Sequence, residues 1–215
     1  MSNIRANIKL VTPIKTIEKK IMLSIERHLK KKLPKIQTLI KKEAQALIIK
    51  SLENSPSDSA LTSGDLRSEL GIPNPVSELS NIYHAISKTV DIKFSMSRAT
   101  TKGVKITITL SAVPFDLGYI TSKFGTYETK KGASIPWLEW LTTYGDKIIV
   151  RDYIAESGHP KYSRTGDKIM LKGKSGWRVP PAFSGTDTNN FVTRATDSIL
   201  PELGNKIQKL IEGNI

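Results

Sequence analysis

The sequence contains no cysteine. Disulfides are excluded, and zinc or iron–sulfur centres built on thiolates go with them. Long apolar runs are missing too: nowhere do the roughly 18 to 20 consecutive apolar residues of a membrane-spanning helix occur. The opening MSNIRANIKLVTP lacks the apolar centre of a secretory signal. Together these absences predict a soluble intracellular product. Aromatic residues make up only 7% of the chain, and the three histidines, His28, His84 and His159, are scattered with no second histidine at ligand spacing. The patterns GXSXG, GXXXXGK[ST] and GXGXXG are all absent, which removes the nucleophile elbow, the phosphate loop and the dinucleotide fingerprint. Asp146, Asp152, Glu156 and Asp167 fall in one region, but Lys147, Arg151, Lys161 and Arg164 stand beside them and no nucleophile does. Ion pairing is the expected use of those carboxylates. The chain is expected not to be an enzyme, and to use no metal, cofactor or small-molecule substrate.

Acidic residues are also in short supply, 20 against 33 Lys and Arg, for a net charge of +13. The excess is concentrated at one end, where residues 1–54 hold 13 Lys and Arg against 4 Glu. Such asymmetry predicts an acidic partner: nucleic acid, an acidic protein surface or an anionic membrane. The membrane ranks last, because the apolar side of the basic segment carries no Trp or Phe. With 38% hydrophobic residues the chain can fill one ordinary core.

The periodicity predicts an α+β fold of one domain, with a basic helical arm over 1–55 and an α+β body over 56–215. Ile4, Ala6, Ile8 and Leu10 alternate as an edge strand would. Ile17, Ile21, Ile25, Leu29 and Leu33, then Ile36, Ile40, Ala44, Leu47 and Ile48, recur at helical spacing. Pro34 falls inside this run and predicts either a kink or a junction of two helices. Lys19, Lys20, Lys30, Lys31, Lys32, Lys35, Lys41 and Lys42 occupy mainly the polar side and are the candidates to face DNA.

NSPSDSALTSGDLRSELGIPNP reads as a linker holding a short helical turn with Asp65 as its cap, and residues 77–87 as a short helix. Val90, Ile92, Phe94 and Met96 alternate, as do Val104, Ile106, Ile108 and Leu110, which predicts a β-hairpin. A lone hairpin needs a cover, and the long helix and the C-terminal helix are the candidates. Residues 112–134 read as a long loop in which Tyr119, Phe124 and Tyr127 alternate with Lys123, Lys130 and Lys131. Such a mixture can stack on bases or pack against a neighbouring subunit. IPWLEWLTTYG predicts a helix begun by Pro136, DKIIVRDYI a third strand, and KIMLK a short strand.

The densest stretch is GWRVPPAFSGTDTNNFVTRA, residues 176–195. Pro180 and Pro181 fix two φ angles and hold the preceding residues extended. Trp177 and Phe183 are positioned to anchor the loop, Asp187 or Thr188 to cap the helix that follows, and Phe191 to bury its first turn. That helix runs through Ala195, Ile199, Leu203, Ile207 and Ile211, with Pro201 inside it. Trp177, Arg178, Pro180, Pro181, Phe183, Phe191 and Arg194, with Tyr119, Phe124 and Tyr127, are the candidate interface residues. A rigid loop presenting Trp and Arg is a common form of contact hot spot, and anchoring within the domain fits it equally.

The order of these elements, with LTSGDLRSELGI, WLEWL, SRTGDKIM, WRVPPAFSGT and NNFVTRA, resembles the tail-completion or neck proteins of tailed bacteriophages, including the minor tail protein Z-like and head-tail joining groups. The likeness is strongest over residues 61–71 and 119–211. Its proline-rich approach and helix start map onto Trp177, Pro180, Pro181, Phe183, Phe191, Arg194 and Ala195. The small TSGDLR element maps onto Thr62, Ser63, Gly64, Asp65, Leu66 and Arg67. The resemblance implies a non-catalytic virion protein, synthesised in the host cytoplasm and assembled as a homo-oligomeric ring at the head-tail junction. Its implied partners are further copies of itself, other connector and tail proteins and, non-specifically, packaged DNA. A sequence-independent nucleic-acid-binding protein using the basic N-terminal helix is the alternative.

Overall fold

The computed structural model of the protein describes residues 12–100, 102–112, 120, 123–129 and 132–214. The alternation at Ile4–Leu10, Tyr119, Lys130 and Lys131 lie outside the described residues.

Helix α1 (Ile14–Glu53) runs without a break through Pro34. Leu29, Leu33, Ile36, Ile40, Ala44, Leu47, Ile48 and Leu52 form its buried stripe, at the spacing of a single helical face. Pro34 itself is exposed. The hydrogen bond its missing N–H forfeits therefore lies where water can reach the freed Lys30 carbonyl, so the helix continues. Residues 55–71, read as a linker, are mostly helical. The Ser55 hydroxyl accepts the Asp58 N–H at 3.1 Å and opens α2 (Pro56–Thr62), while α3 (Asp65–Leu70) follows with Gly64, not Asp65, at its N-cap. Ser-Pro is a helix start as well as a linker sign, and the apolar residues decide between the two: Leu61, Leu66, Leu70 and Ile72 are all buried in the core. Helix α4 (Pro75–Lys88) adds Leu79, Ile82, Tyr83 and Ile86 to the same core, and the Tyr83 hydroxyl donates to Asp58 at 2.8 Å, tying α4 to α2.

Strands β1 (Val90–Met96) and β2 (Ile106–Ala112) pair antiparallel, with Ile92 opposite Leu110, Phe94 opposite Ile108 and Met96 opposite Ile106. This places the predicted apolar residues on one face, and α1 covers it. The Gln37 amide donates to the Ile92 carbonyl, and nearer the hairpin tip Glu26 accepts the Ala99 N–H at 3.0 Å. Helix α1 thus carries the hairpin along its length.

Two further ladders lie in the body, so among the described residues the strands form three separate pairs. In the stretch read as a long loop, β3 (Tyr127–Glu128) pairs with β4 (Ser134–Ile135). Helix α5 (Trp137–Thr143) follows, with Pro136 at its N-cap. The strand expected over 146–154 begins late: β5 is Tyr153–Glu156, paired with β6 (Ile169–Lys172). Asp152, in the left-handed region at φ 59°, interrupts the extended backbone just before it. Helix α6 (Phe191–Asn214) closes the fold and continues through Pro201. It packs antiparallel on α1, since Ser51 donates to the Ala195 carbonyl at 3.1 Å and Lys206 meets Glu43 at 2.6 Å.

Candidate functional site

The stretch 176–195 is built as an anchor. The Trp177 N–H donates to the Val150 carbonyl at 2.8 Å, and its carbonyl accepts the N–H groups of Ile149 and Val150. Its indole Nε1 donates to Glu69 at 3.1 Å, and the ring meets Trp140 with centroids 5.9 Å apart. Lys168 reaches the same Glu69 at 3.0 Å and Asp65 at 3.2 Å. Burial alone would push its ammonium down, but the two carboxylates outweigh that and raise its pKa. One carboxylate on α3 therefore fastens both the Trp177 loop and β6.

After Pro180, whose carbonyl accepts the Phe183 and Ser184 N–H groups, the chain turns at Gly185. A Cβ at Gly185 would stand 2.5 Å from Asn190 Cβ and 2.6 Å from the Leu141 carbonyl oxygen. Only glycine allows this approach. The α6 cap is Asn190, not Asp187 or Thr188: its side-chain oxygen accepts the N–H groups of Val192 and Thr193 at 3.0 and 3.1 Å. Sequence reasoning passed over Asn190 because Asp187 and Thr188 are equally good cap types. Asn190 Nδ2 also donates to the Thr186 carbonyl within the turn and, across the fold, to the Thr142 carbonyl, a tertiary contact with no local signal.

The candidate interface residues divide accordingly. Trp177 and Phe191 are buried in the chain's own core, Pro180, Phe183 and Phe124 are half-buried, and Arg178, Pro181 and Arg194 are exposed. Tyr127 is also an internal anchor. Its hydroxyl donates to the Leu70 carbonyl, Arg164 covers its ring at 4.2 Å, and burial raises its pKa. With one face covered and its hydroxyl engaged, Tyr127 is poorly placed to stack on a base.

The expected pairing of the carboxylates between 146 and 167 with their basic neighbours does not form. Among the described residues no ion pair joins Asp146, Asp152, Glu156 or Asp167 to Lys147, Arg151, Lys161 or Arg164. Glu156 instead lies 4.0 Å from His159, and Arg178 Nη1 reaches the Asp146 carbonyl at 3.5 Å. No group of three or more His, Asp or Glu gathers among the described residues, and no helix there is long and apolar enough to cross a membrane.

The other notable surface is the first half of α1. Lys206 opposite Glu43 puts the end of α6, at Asn214, opposite about residue 35 at equal rise per residue. Leu29 and Leu33 remain buried beyond that point, and the helix face loses its cover only N-terminal to Glu26, the residue that holds Ala99. Ile14, Ile21, Leu23 and Ile25 are 63, 52, 37 and 41% exposed. At about 100° per residue, Ile14, Ile17, Ile21 and Ile25 share an arc of about 80°, with Lys20 and Lys31 along one border. Of the candidate DNA-facing lysines, Lys30 is paired with Glu26 at 2.7 Å and Lys41 is half-buried, whereas Lys19, Lys20, Lys31, Lys32, Lys35 and Lys42 are exposed. The Lys30 ammonium and the Ala99 N–H hold the Glu26 carboxyl below its usual pKa.

Comparison with protein-family models, curated proteins and solved structures finds no match to this chain.

Proposed function

We propose that the protein is a structural subunit of a bacteriophage neck, completing the tail or joining head to tail within a homo-oligomeric ring, with the uncovered N-terminal turns of α1, residues 14–25, as its docking arm. The resemblance of LTSGDLRSELGI, WRVPPAFSGT and NNFVTRA supplies the neck assignment. The observation that carries the docking role is the stripe of Ile14, Ile21 and Ile25, apolar and exposed on a helix whose own domain stops short of it. A helix with a bare apolar stripe is completed by packing on another element, in the manner of helix-in-groove recognition. Residues 14–35 hold eight Lys and Arg against two Glu, so two such stripes facing each other would repel. The arm therefore suits a head-to-tail contact, in which it meets a different surface of the neighbour.

The test begins with particles made without the gene. DNA-filled heads lying apart from complete tails are expected by electron microscopy, and normally joined particles would refute the assignment. Complementation with Ile21→Glu plus Ile25→Glu then isolates the arm: a folded protein that fails to restore joining is expected.

A second reading, sequence-independent nucleic-acid binding by the arm, is favoured by the lack of ion-pair partners for Lys19, Lys20, Lys31, Lys32 and Lys35 among the described residues. It predicts tight, salt-sensitive binding of free duplex by the isolated chain that the lysines, not the isoleucines, control.

A further inference from the structure

A second basic feature lies away from the arm, beside the Trp177 anchor. Residues 147–152 form one wall of an open cleft of about 810 Å³ and residues 174–178 the other. The pairing of Val150 with Trp177 fixes the walls to each other. A Cβ at Gly176 would stand 2.3 Å from Ile148 Cγ2 and 3.1 Å from the Val150 carbonyl oxygen, so the close approach of the walls depends on glycine. Lys147, Arg151, Lys174 and Arg178 line the cleft, and all four are exposed. None of them has an ion-pair partner among the described residues, although Lys30, Lys93, Lys168 and Lys206 elsewhere do. Asp152 contributes the one carboxylate of the lining.

We infer that this cleft is a contact site for the phosphate backbone of double-stranded nucleic acid. Four cations without protein counterions, held on two fixed walls, are arranged to replace the counterions of a polyanion. No aromatic side chain lines the cleft, so it offers no platform for unstacked bases, and the duplex backbone fits better than a single strand. The only large apolar side chain in it is Ile148, too little for the desolvated centre of a protein interface. Contact of this kind fixes position without reading sequence. The inference does not depend on the neck assignment.

The test is binding of the full chain to a mixed-sequence DNA duplex across a salt series. Wild type is expected to bind with an affinity that falls steeply as salt rises. Changing Lys147, Arg151, Lys174 and Arg178 to Gln together should flatten the slope of log affinity against log salt by about 3 to 4, at about 0.9 for each phosphate no longer neutralised. Asp152→Asn, which removes the lone negative charge, should tighten binding at low salt. A structural role for these residues would not give opposite signs for opposite charges. Circular dichroism confirms that each variant is folded. The inference is overturned if wild type does not bind duplex, if the four-fold variant keeps the wild-type slope, if a single strand of the same sequence binds more tightly, or if changing Lys19, Lys20, Lys31 and Lys32 to Gln abolishes the whole salt dependence.

Discussion

Asn190 and Thr193 cap each other: the Asn190 side-chain oxygen accepts the Thr193 N–H at 3.1 Å, and Thr193 Oγ1 accepts the Asn190 N–H at 2.8 Å. This is the reciprocal arrangement of a capping box, with a threonine in the usual place of glutamate. Asn190 is buried, and its amide also serves the carbonyls of Thr142 and Thr186. Asn190→Ala should therefore cost about 2 kcal/mol, at the upper end for removal of a cap. Asn190→Asp keeps the acceptor but sets a buried carboxylate oxygen against the Thr142 and Thr186 carbonyls, and should cost at least as much. Urea midpoints of the three proteins give the order.

Gly185→Ala should destabilise by about 1 to 3 kcal/mol, because the added methyl meets the Leu141 carbonyl oxygen at 2.6 Å and Asn190 Cβ at 2.5 Å. The neighbours are backbone and a buried cap, and neither can swing aside. A melting temperature equal to that of wild type would contradict this account of the turn.

Asp152 holds a left-handed backbone at φ 59°. Asp152→Val should cost about 1 to 2 kcal/mol, since a β-branched residue fits that region badly, while Asp152→Gly should be tolerated. Thermal melts of both variants separate backbone strain from loss of the carboxylate.

The Glu26 contact with the hairpin tip should be sensitive to acid. Its folded pKa is lowered, so its contribution is present above the unfolded carboxylate value and disappears as pH falls through the folded one. The protection of the Ala99 amide, taken as its exchange rate relative to the intrinsic rate at each pH, should fall in that acidic range in wild type. In Glu26→Ala, which removes the acceptor, the protection should be low already at neutral pH and show no such step.

The elements legible in the sequence are those whose burial follows one period. The isoleucine and leucine series of α1 and α6 and the paired alternation of β1 and β2 need no tertiary information. Helix α2 is hidden because Ser55, Pro56 and Ser57 have the composition of a linker, and only packing of Leu61 shows otherwise. The strand at 146–154 is displaced because a single left-handed residue, which no residue type announces, interrupts it. At the surfaces, the basic charge of the arm is plain, but its bare stripe depends on where the cover over α1 ends. The cleft has no local signal at all: Lys147 and Arg151 meet Lys174 and Arg178 only through the pairing of Val150 with Trp177.

The bond from Glu26 to Ala99 marks where α1 stops being supported by the hairpin. Residues 14–25 extend beyond it as a rod of about 18 Å. Such a rod is a lever with its fulcrum at Glu26. Load placed on Ile14 is transmitted to the hairpin tip, and along β1 to the point where Gln37 grips the Ile92 carbonyl inside the fold. A load on the arm thus pulls on the strand pair, and the body of the protein registers it mechanically.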